Sequence, residues 1–311
     1  MVWSTSDIGD LSGTRALVTG VTGGLGFQTA LGLARHGASL VVTARDADKA
    51  AATVRTIEGE VPGASVDLLL LDLADLSSVR HAAARALDSY DGFDLLINNA
   101  GIMATPDRRT ADGFEMQIGT NHLGHFALTA HLWPALVARC ARIVTVSSLF
   151  HSTVNGIDLR SLTADGAQRR YSRWRSYGES KLANLSFAIE LDRRIHRAGL
   201  GMTSVAAHPG YSATNLYATG PRLGVRSPLS LGMHQISRIV AQPAHAGAWP
   251  TLMAATMPGL AGGSYVGPNG LGELRGRPQL VAMSAAARDE QLATALWEAS
   301  ERATGVRFEL A

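Results

Sequence analysis

The chain has 311 residues, a length that fits one or two domains. Hydrophobic residues make up 46% and charged residues 17%, enough apolar material for a full core, which excludes global disorder. A formal net charge of +2 gives no footing for a nucleic-acid surface, so no nucleic-acid partner is expected.

In chain order, the start MVWSTSDIGD lacks the basic and apolar regions of a signal peptide. Arg15 to Thr19 is short, apolar and followed by glycines, as a buried strand is. Leu25 to His36 has helical spacing and is stopped by Gly37. Ser39 to Thr43 reads as a second strand, Asp46 to Ile57 as a polar-faced helix, and Val66 to Leu71 as a third strand. Leu76 to Leu87 is a helix and Phe93 to Ile97 a fourth strand. Asp112 to Arg139 predicts one long helix, bent at Gly119 or Gly124. Cys140, the only cysteine, follows it as a core or cap residue and excludes an internal disulfide. Arg142 to Val146 is a fifth strand, Trp174 to Arg197 a long helix, and Met202 to Ala207 a sixth strand. Beyond 210 the pattern loosens into an apolar, Gly/Pro-rich segment and a helix near Asp289 to Thr304. The longest uncharged stretch, Ile239 to Gly272, is broken by Pro243, Pro250 and Pro258, so no membrane insertion is expected. A cytoplasmic, reducing setting is the expectation.

Strands alternating with helices imply βαβ units and a parallel sheet with helices on both faces. The expected fold is therefore α/β, a single doubly wound Rossmann domain over residues 1–311. No linker or internal repeat divides it.

Six features carry chemistry. TGVTGGLG, Thr19 to Gly26, follows the first strand and opens the first helix. Its glycines let backbone approach a pyrophosphate, and the helix N-terminus offers free N–H groups; a ligand-free glycine turn is the plainer alternative. Asp72 ends the third strand, where it could accept from an adenine amino group or cap the next helix. NNAG, Asn98 to Gly101, permits close approach to a nucleotide, though alone it reads equally as a turn. Tyr177 and Lys181 stand four apart on one helical face. A free phenol has a pKa near ~10, and a nearby cation is expected to lower it toward use in proton transfer. With 6 tyrosines and only Lys49 and Lys181 as lysines, chance yields about 0.04 such pairs, so the spacing is informative. Ser147 and Ser148 end the fifth strand, where a hydroxyl could bind a substrate oxygen or cap. Asn121, in NHLGHF, could hold a water or a carbonyl in a proton relay or simply pack. His122 and His125 are three apart but lack a carboxylate cluster for metal, so packing or capping is expected.

As an ordered set, TGVTGGLG, NNAG, Asn121, VSS, YGESK and HPGYSAT resemble the short-chain dehydrogenase/reductase family over nearly the whole chain. NHLGHF, SKLAN and the run from Ser148 to Tyr177 are similar to its retinol-dehydrogenase-like and protochlorophyllide-reductase-like members. The resemblance implies a hydride-transfer oxidoreductase with Asn121, Ser148, Tyr177 and Lys181 as catalytic tetrad. It implies a small carbonyl or alcohol substrate and no metal. The implied cofactor site comprises Thr19, Gly20, Thr22, Gly24, Leu25, Gly26, Arg45, Asp72, Leu73, Asn99, Ala100, Gly101, Tyr177, Lys181, Pro209, Gly210 and Thr214. Lys181 would bind the nicotinamide ribose, Thr214 the carboxamide, and Asn99 the adenosine ribose side. NADP(H) is expected over NAD(H), because the strand-end carboxylate position falls on Ala44 and Arg45 follows, while Asp46 is assigned to capping. A lid over about 210–240, with Tyr211, Leu216, Tyr217, Leu223, Leu229, Leu231 and Met233, would cover a lipophilic substrate. The other reading of those residues is a core-facing helix pair.

Two departures stand out. Val21-Thr22-Gly23 replaces the Ala-Asn-Ser usual in these subgroups. The long run between Ser148 and Tyr177 carries Arg169, Arg170, Arg173 and Arg175 beside Tyr171 and Trp174, a solvated loop or a clamp for anions or a membrane surface. A nicotinamide-binding sensor without turnover is the competing reading, and an isomerase or lyase on the same fold a third. The oligomer is open between homodimer and homotetramer.

Overall fold

The computed structural model describes residues 3–163, 170–212 and 242–310. Eight strands form one sheet in the order β3-β2-β1-β4-β5-β6-β7-β8. They are β1 (Arg15–Thr19), β2 (Ser39–Ala44), β3 (Val66–Leu70), β4 (Leu95–Asn98), β5 (Arg142–Val146), β6 (Thr203–Ala207), β7 (Tyr265–Pro268) and β8 (Pro278–Leu280). Neighbours from β3 to β7 pair in parallel, and β8 runs antiparallel at the edge. This is a Rossmann fold. The order reverses between β1 and β4, and ligands of such sheets bind outside the carboxyl ends of the strands at that reversal.

The helices are α1 (Gly24–Ala34), α2 (Ala47–Glu60), α3 (Leu76–Ser89), α4 (Gly124–His131), α5 (Arg173–Arg197), α6 (Ala244–Thr256) and α7 (Glu290–Thr304). Central strands are buried on both faces, which explains their unbroken apolar sequences. Leu17, Leu96 and Ile143 point to one layer with Phe126, Phe187 and Trp297. Val18, Ile97 and Val144 point to the other with Leu31, Leu33 and Leu252. The period of two within each strand divides the core between the layers.

The single helix expected from Asp112 to Arg139 is broken. Helix begins at Met116, because Glu115 caps it by accepting from the backbone N–H of Gln117 and Ile118 at 2.9 Å each. Gly119–Leu123 forms a π-helical turn, and α4 follows. Gly124 permits this path: a Cβ there would strike the Leu73 carbonyl. A last short turn, Trp133–Val137, contains Pro134 in its first turn. Cys140 lies exposed beyond it with φ of +49°, a cap position rather than a core one. In the Gly/Pro-rich tail the structure adds β7, β8 and α6, which packs on α1 where Gly32 leaves room for Leu252. Asp289 caps α7 through the N–H groups of Gln291 and Leu292. Thr214 and most of the expected lid lie outside the described residues, as does Arg169. Among the described residues, no helix is long and apolar enough to cross a membrane.

His122 and His125 are buried beside this break. Burial is the main cause that lowers their pKa values from 6.5 to about 3 and about 4. A depressed native pKa means that the unfolded chain binds protons first on acidification. Their contribution to stability is therefore complete above pH 6.5 and is lost as pH falls toward about 4. The urea midpoint should fall between pH 6.5 and about 5, and His122→Gln should flatten that fall. A midpoint constant across the window, or an unchanged slope in the variant, would contradict the assignment.

Candidate active site

A cavity of about 420 Å³ lies at the carboxyl ends of β1, β2 and β4. Gly20, with φ of +73°, turns the chain out of β1 against Ala100. Gly26 lies against the Gly20 carbonyl and the Asn99 amide, where any Cβ would collide. The N-terminus of α1 has Gly23 as its cap residue, with no side-chain cap and no acidic residue in its first turn. Among the described residues no side chain caps its N–H groups, and they and the positive dipole end line the cavity, a setting suited to a phosphate. Asn99 donates from Nδ2 to the Thr19 carbonyl at 2.8 Å, so NNAG is more than a turn.

At the far end of the cavity α5 presents Tyr177 and Lys181 from successive turns, both 4% exposed. Lys181 Nζ donates to the Val146 carbonyl at 3.1 Å and lies 5.9 Å from the Tyr177 ring centre. Burial pushes the Tyr177 phenol up to about 12, while a hydrogen bond with Ser148 pulls the other way. From spacing alone the ammonium is expected to lower this phenol. In the protein alone desolvation is the larger effect, and it also lowers Lys181 to about 8. Ser148 accepts from the Phe150 N–H at 3.3 Å.

Asn121 sits in the π turn, fully buried. Its Oδ1 accepts from the Ile102 N–H at 2.8 Å, and its Nδ2 donates to the Ile102 carbonyl and Ser180 Oγ at 2.9 Å each. Both ends of the amide are thus engaged within the protein, and because a carboxamide oxygen accepts up to two hydrogen bonds, the expected water relay stays compatible with these contacts. Its carbonyl also has a partner, His125 Nδ1, at 2.9 Å.

Of the residues singled out from sequence, Gly20, Thr22, Gly24, Leu25, Gly26, Arg45, Asp72, Leu73, Asn99, Ala100, Gly101, Tyr177, Lys181 and Pro209 line the cavity. Thr19 lies beneath it: its hydroxyl is fully buried and accepts from the N–H groups of Asn99 and Ala100. Gly210 stands behind Pro209 with φ of +63°, against the Leu274 carbonyl. Asp72 accepts from the Ala74 N–H, and the cap of α3 is Asp75 instead. Asp46 does cap α2, accepting from the Lys49 N–H at 3.1 Å, and pairs with Lys49 Nζ at 2.9 Å. Ala44 and Ser147, also weighed from sequence, line it as well, and so do Gly23, Thr43, Asp46, Lys49, Leu71, Ile102, Thr120 and Val146. Several are sequence neighbours of motif residues, the one signal that could have found them.

The Arg-bearing run is anchored rather than loose where it is described. Tyr171 donates to the Thr105 carbonyl and accepts from Gln117 Nε2, both at 2.9 Å. Arg175 pairs with buried Glu179 at 2.9 Å. Phe150 meets the Tyr177 ring edge-on at 5.4 Å and stacks on half-exposed Trp174 at 5.3 Å.

Known proteins carry the same arrangement of sequence. A family model described as short chain dehydrogenase matches residues 14–157. Human retinol dehydrogenase 13 is 38% identical over 298 residues, covering 95% of this chain and 86% of the relative. Mouse polyprenol dehydrogenase is 37% identical over 300 residues, covering 94% and 84%. An uncharacterised Mycobacterium paratuberculosis protein of solved structure superposes with a TM-score of 0.80 at 42% identity, covering 99% of both chains.

Proposed function

Because the chain belongs to the short-chain dehydrogenase/reductase family, whose members use NAD(P)(H) on alcohol and carbonyl groups, we propose that it exchanges a hydride between NADP(H) and a lipophilic ketone, aldehyde or secondary alcohol. The observation that carries the reading is Tyr177 and Lys181 buried together at one end of a phosphate-receptive cavity. The residues present fit a dinucleotide: an uncapped helix N-terminus, the Gly20–Gly26 cradle, and Asn99 to Gly101 along the floor. The nicotinamide supplies or takes the hydride.

The protein's own groups handle the oxygen and its proton. Ser148 and Tyr177 hydrogen-bond the substrate oxygen where negative charge develops. Ser148 Oγ accepts from the Phe150 N–H, and its one hydrogen, which bonds the Tyr177 oxygen in the protein alone, can rotate to a substrate oxygen beside it. Tyr177 gives its proton during reduction, and the Lys181 ammonium stabilises the phenolate left behind. Asn121 supports the site by holding Ile102 and Ser180. Tyr177→Phe should lower turnover on the order of 10²–10⁴-fold with cofactor affinity nearly intact, read by stopped reduced-cofactor absorbance and binding titration. Retention of more than about a tenth of the rate would move the acid/base role elsewhere.

Preference for NADP(H) is supported at the end of β2. Ala44 holds the position where an NAD enzyme has a carboxylate. Arg45, Lys49 and Thr22 line the cavity; Asp46 lines it too, but its carboxylate already accepts from the Lys49 N–H at the start of α2 and pairs with Lys49 Nζ. Arg45→Ala should weaken NADPH binding by about 1.5–3 kcal/mol and leave NADH nearly unchanged, while Ala44→Asp should shift preference toward NADH. Equal weakening of both cofactors by Arg45→Ala would refute the assignment.

The lipophilic substrate is supported by the apolar wall beside Tyr177, formed by Met103, Ala104 and Phe150 and extended by Trp174. The relatives' names, retinol dehydrogenase and polyprenol dehydrogenase, point the same way. In a carbonyl panel, kcat/KM should rise with hydrocarbon length; higher values for short polar carbonyls would sink the proposal.

A further inference from the structure

His125 lies on α4, one turn after Asn121, and is 1% exposed. Its Nδ1 is 2.9 Å from the Asn121 carbonyl oxygen. A carbonyl can only accept, so Nδ1 carries the proton. Nε2 is then an acceptor, and at 2.9 Å it takes the hydroxyl proton of Thr19. The Ile97 carbonyl, 3.3 Å from the same hydroxyl, is the weaker acceptor by distance. With its proton committed, Thr19 Oγ1 uses its lone pairs on the N–H groups of Asn99 and Ala100, each at 2.9 Å. Two residues further on, Asn121 takes hold of both backbone groups of Ile102. The floor of the cavity, residues 99–102, is thus gripped at one end by Thr19 and at the other by Asn121. His125 ties these two grips together. Between them Gly101 leaves no slack: a Cβ there would stand 3.2 Å from Asn121 Oδ1 and 3.5 Å from Lys181 Nζ.

We propose that His125 is a positioning residue, which orients the Thr19 hydroxyl and the Asn121 carbonyl so that residues 99–102 keep the shape that receives the dinucleotide. Its ring lies behind the cavity lining rather than in it. A rigid ring that donates at one edge and accepts at another suits the gap, and its neutral form is the one that can do both. Burial and the nearby Lys181 cation both oppose protonation at neutral pH. The proposal rests on the NAD(P)(H) reading, and the test separates the two.

NADPH dissociation constants are measured by fluorescence titration of the full chain in His125→Leu, His125→Gln, Thr19→Val, Thr19→Ser and the Thr19→Val/His125→Leu double variant. Leu and Val each remove the shared hydrogen bond and should raise Kd about tenfold, with kcat at saturating NADPH within about threefold of wild type. Ser keeps the hydroxyl and should bind as wild type; Gln offers a donor and an acceptor and should recover part of the loss. The double variant should be no weaker than the weaker single one, since both remove the same bond. If His125→Leu does not fold, Thr19→Val against Thr19→Ser carries the test: Val should raise Kd about tenfold and Ser should not, with His125→Gln falling between wild type and Thr19→Val. Wild-type protein that binds neither NADPH nor NADH would sink the dinucleotide reading itself. Normal wild-type binding with additive losses, or with lowered thermal midpoints but unchanged Kd, would overturn the role of His125.

Discussion

The hydrogen bond from Asn99 Nδ2 to the Thr19 carbonyl joins β1 and β4 where the sheet reverses its order. Parallel strands at such a reversal send their following helices to opposite faces, so a crevice opens beyond their ends. Left to itself the crevice would expose unpaired backbone. Here the Asn99 side chain, the Thr19 hydroxyl and the close approach of Gly26 to the Gly20 carbonyl satisfy or cover it. What remains open is the N-terminus of α1, whose N–H groups face the cavity. The pocket exists because one strand junction is satisfied by protein and the adjoining helix start is not.

The reactive end is governed by burial more than by pairing. Lys181 is an almost fully buried ammonium whose described partner is a carbonyl, Val146. Water is displaced from both Tyr177 and Lys181, so the phenol becomes harder to ionise and the ammonium easier to deprotonate. Near neutral pH this leaves the phenol protonated and the ammonium charged. That combination suits proton donation to a carbonyl oxygen, with the cation close enough to favour the phenolate once it forms.

The π turn at Gly119–Leu123 links these two ends. One extra residue per turn changes which groups face inward, and such turns recur at functional sites. It lets Asn121 address Ile102 and Ser180 with its side chain while its carbonyl meets His125. Glu115 on one side and Gly124 on the other mark the limits of the irregular stretch. The insertion before α5 is fastened to the same region through Tyr171 and Gln117, so the aromatic pair Phe150–Trp174 is carried on an ordered base beside Tyr177.

The sequence alone determined the alternation of strands and helices through β6, because each of those strands is an apolar run bounded by glycine or polar residues. Tyr177 and Lys181 were also legible, since two residues four apart share one helical face, while most of the other cavity residues followed from the ordered set of motifs and the resemblance it carries. Tertiary structure decided the rest. β7 and β8 span four and three residues among glycines and prolines, and their pairing with β6 and with each other defines them. The helix from Asp112 looked continuous because periodicity does not register a capping carboxylate at Glu115 or a carbonyl packed on Gly124. Thr19 reads as a ligand contact until its neighbours across the sheet claim its hydroxyl. The Tyr177 phenol could be paired with Lys181 from spacing, but its pKa depends on how much water the folded site excludes, a property of the packing around it and not of any local pattern.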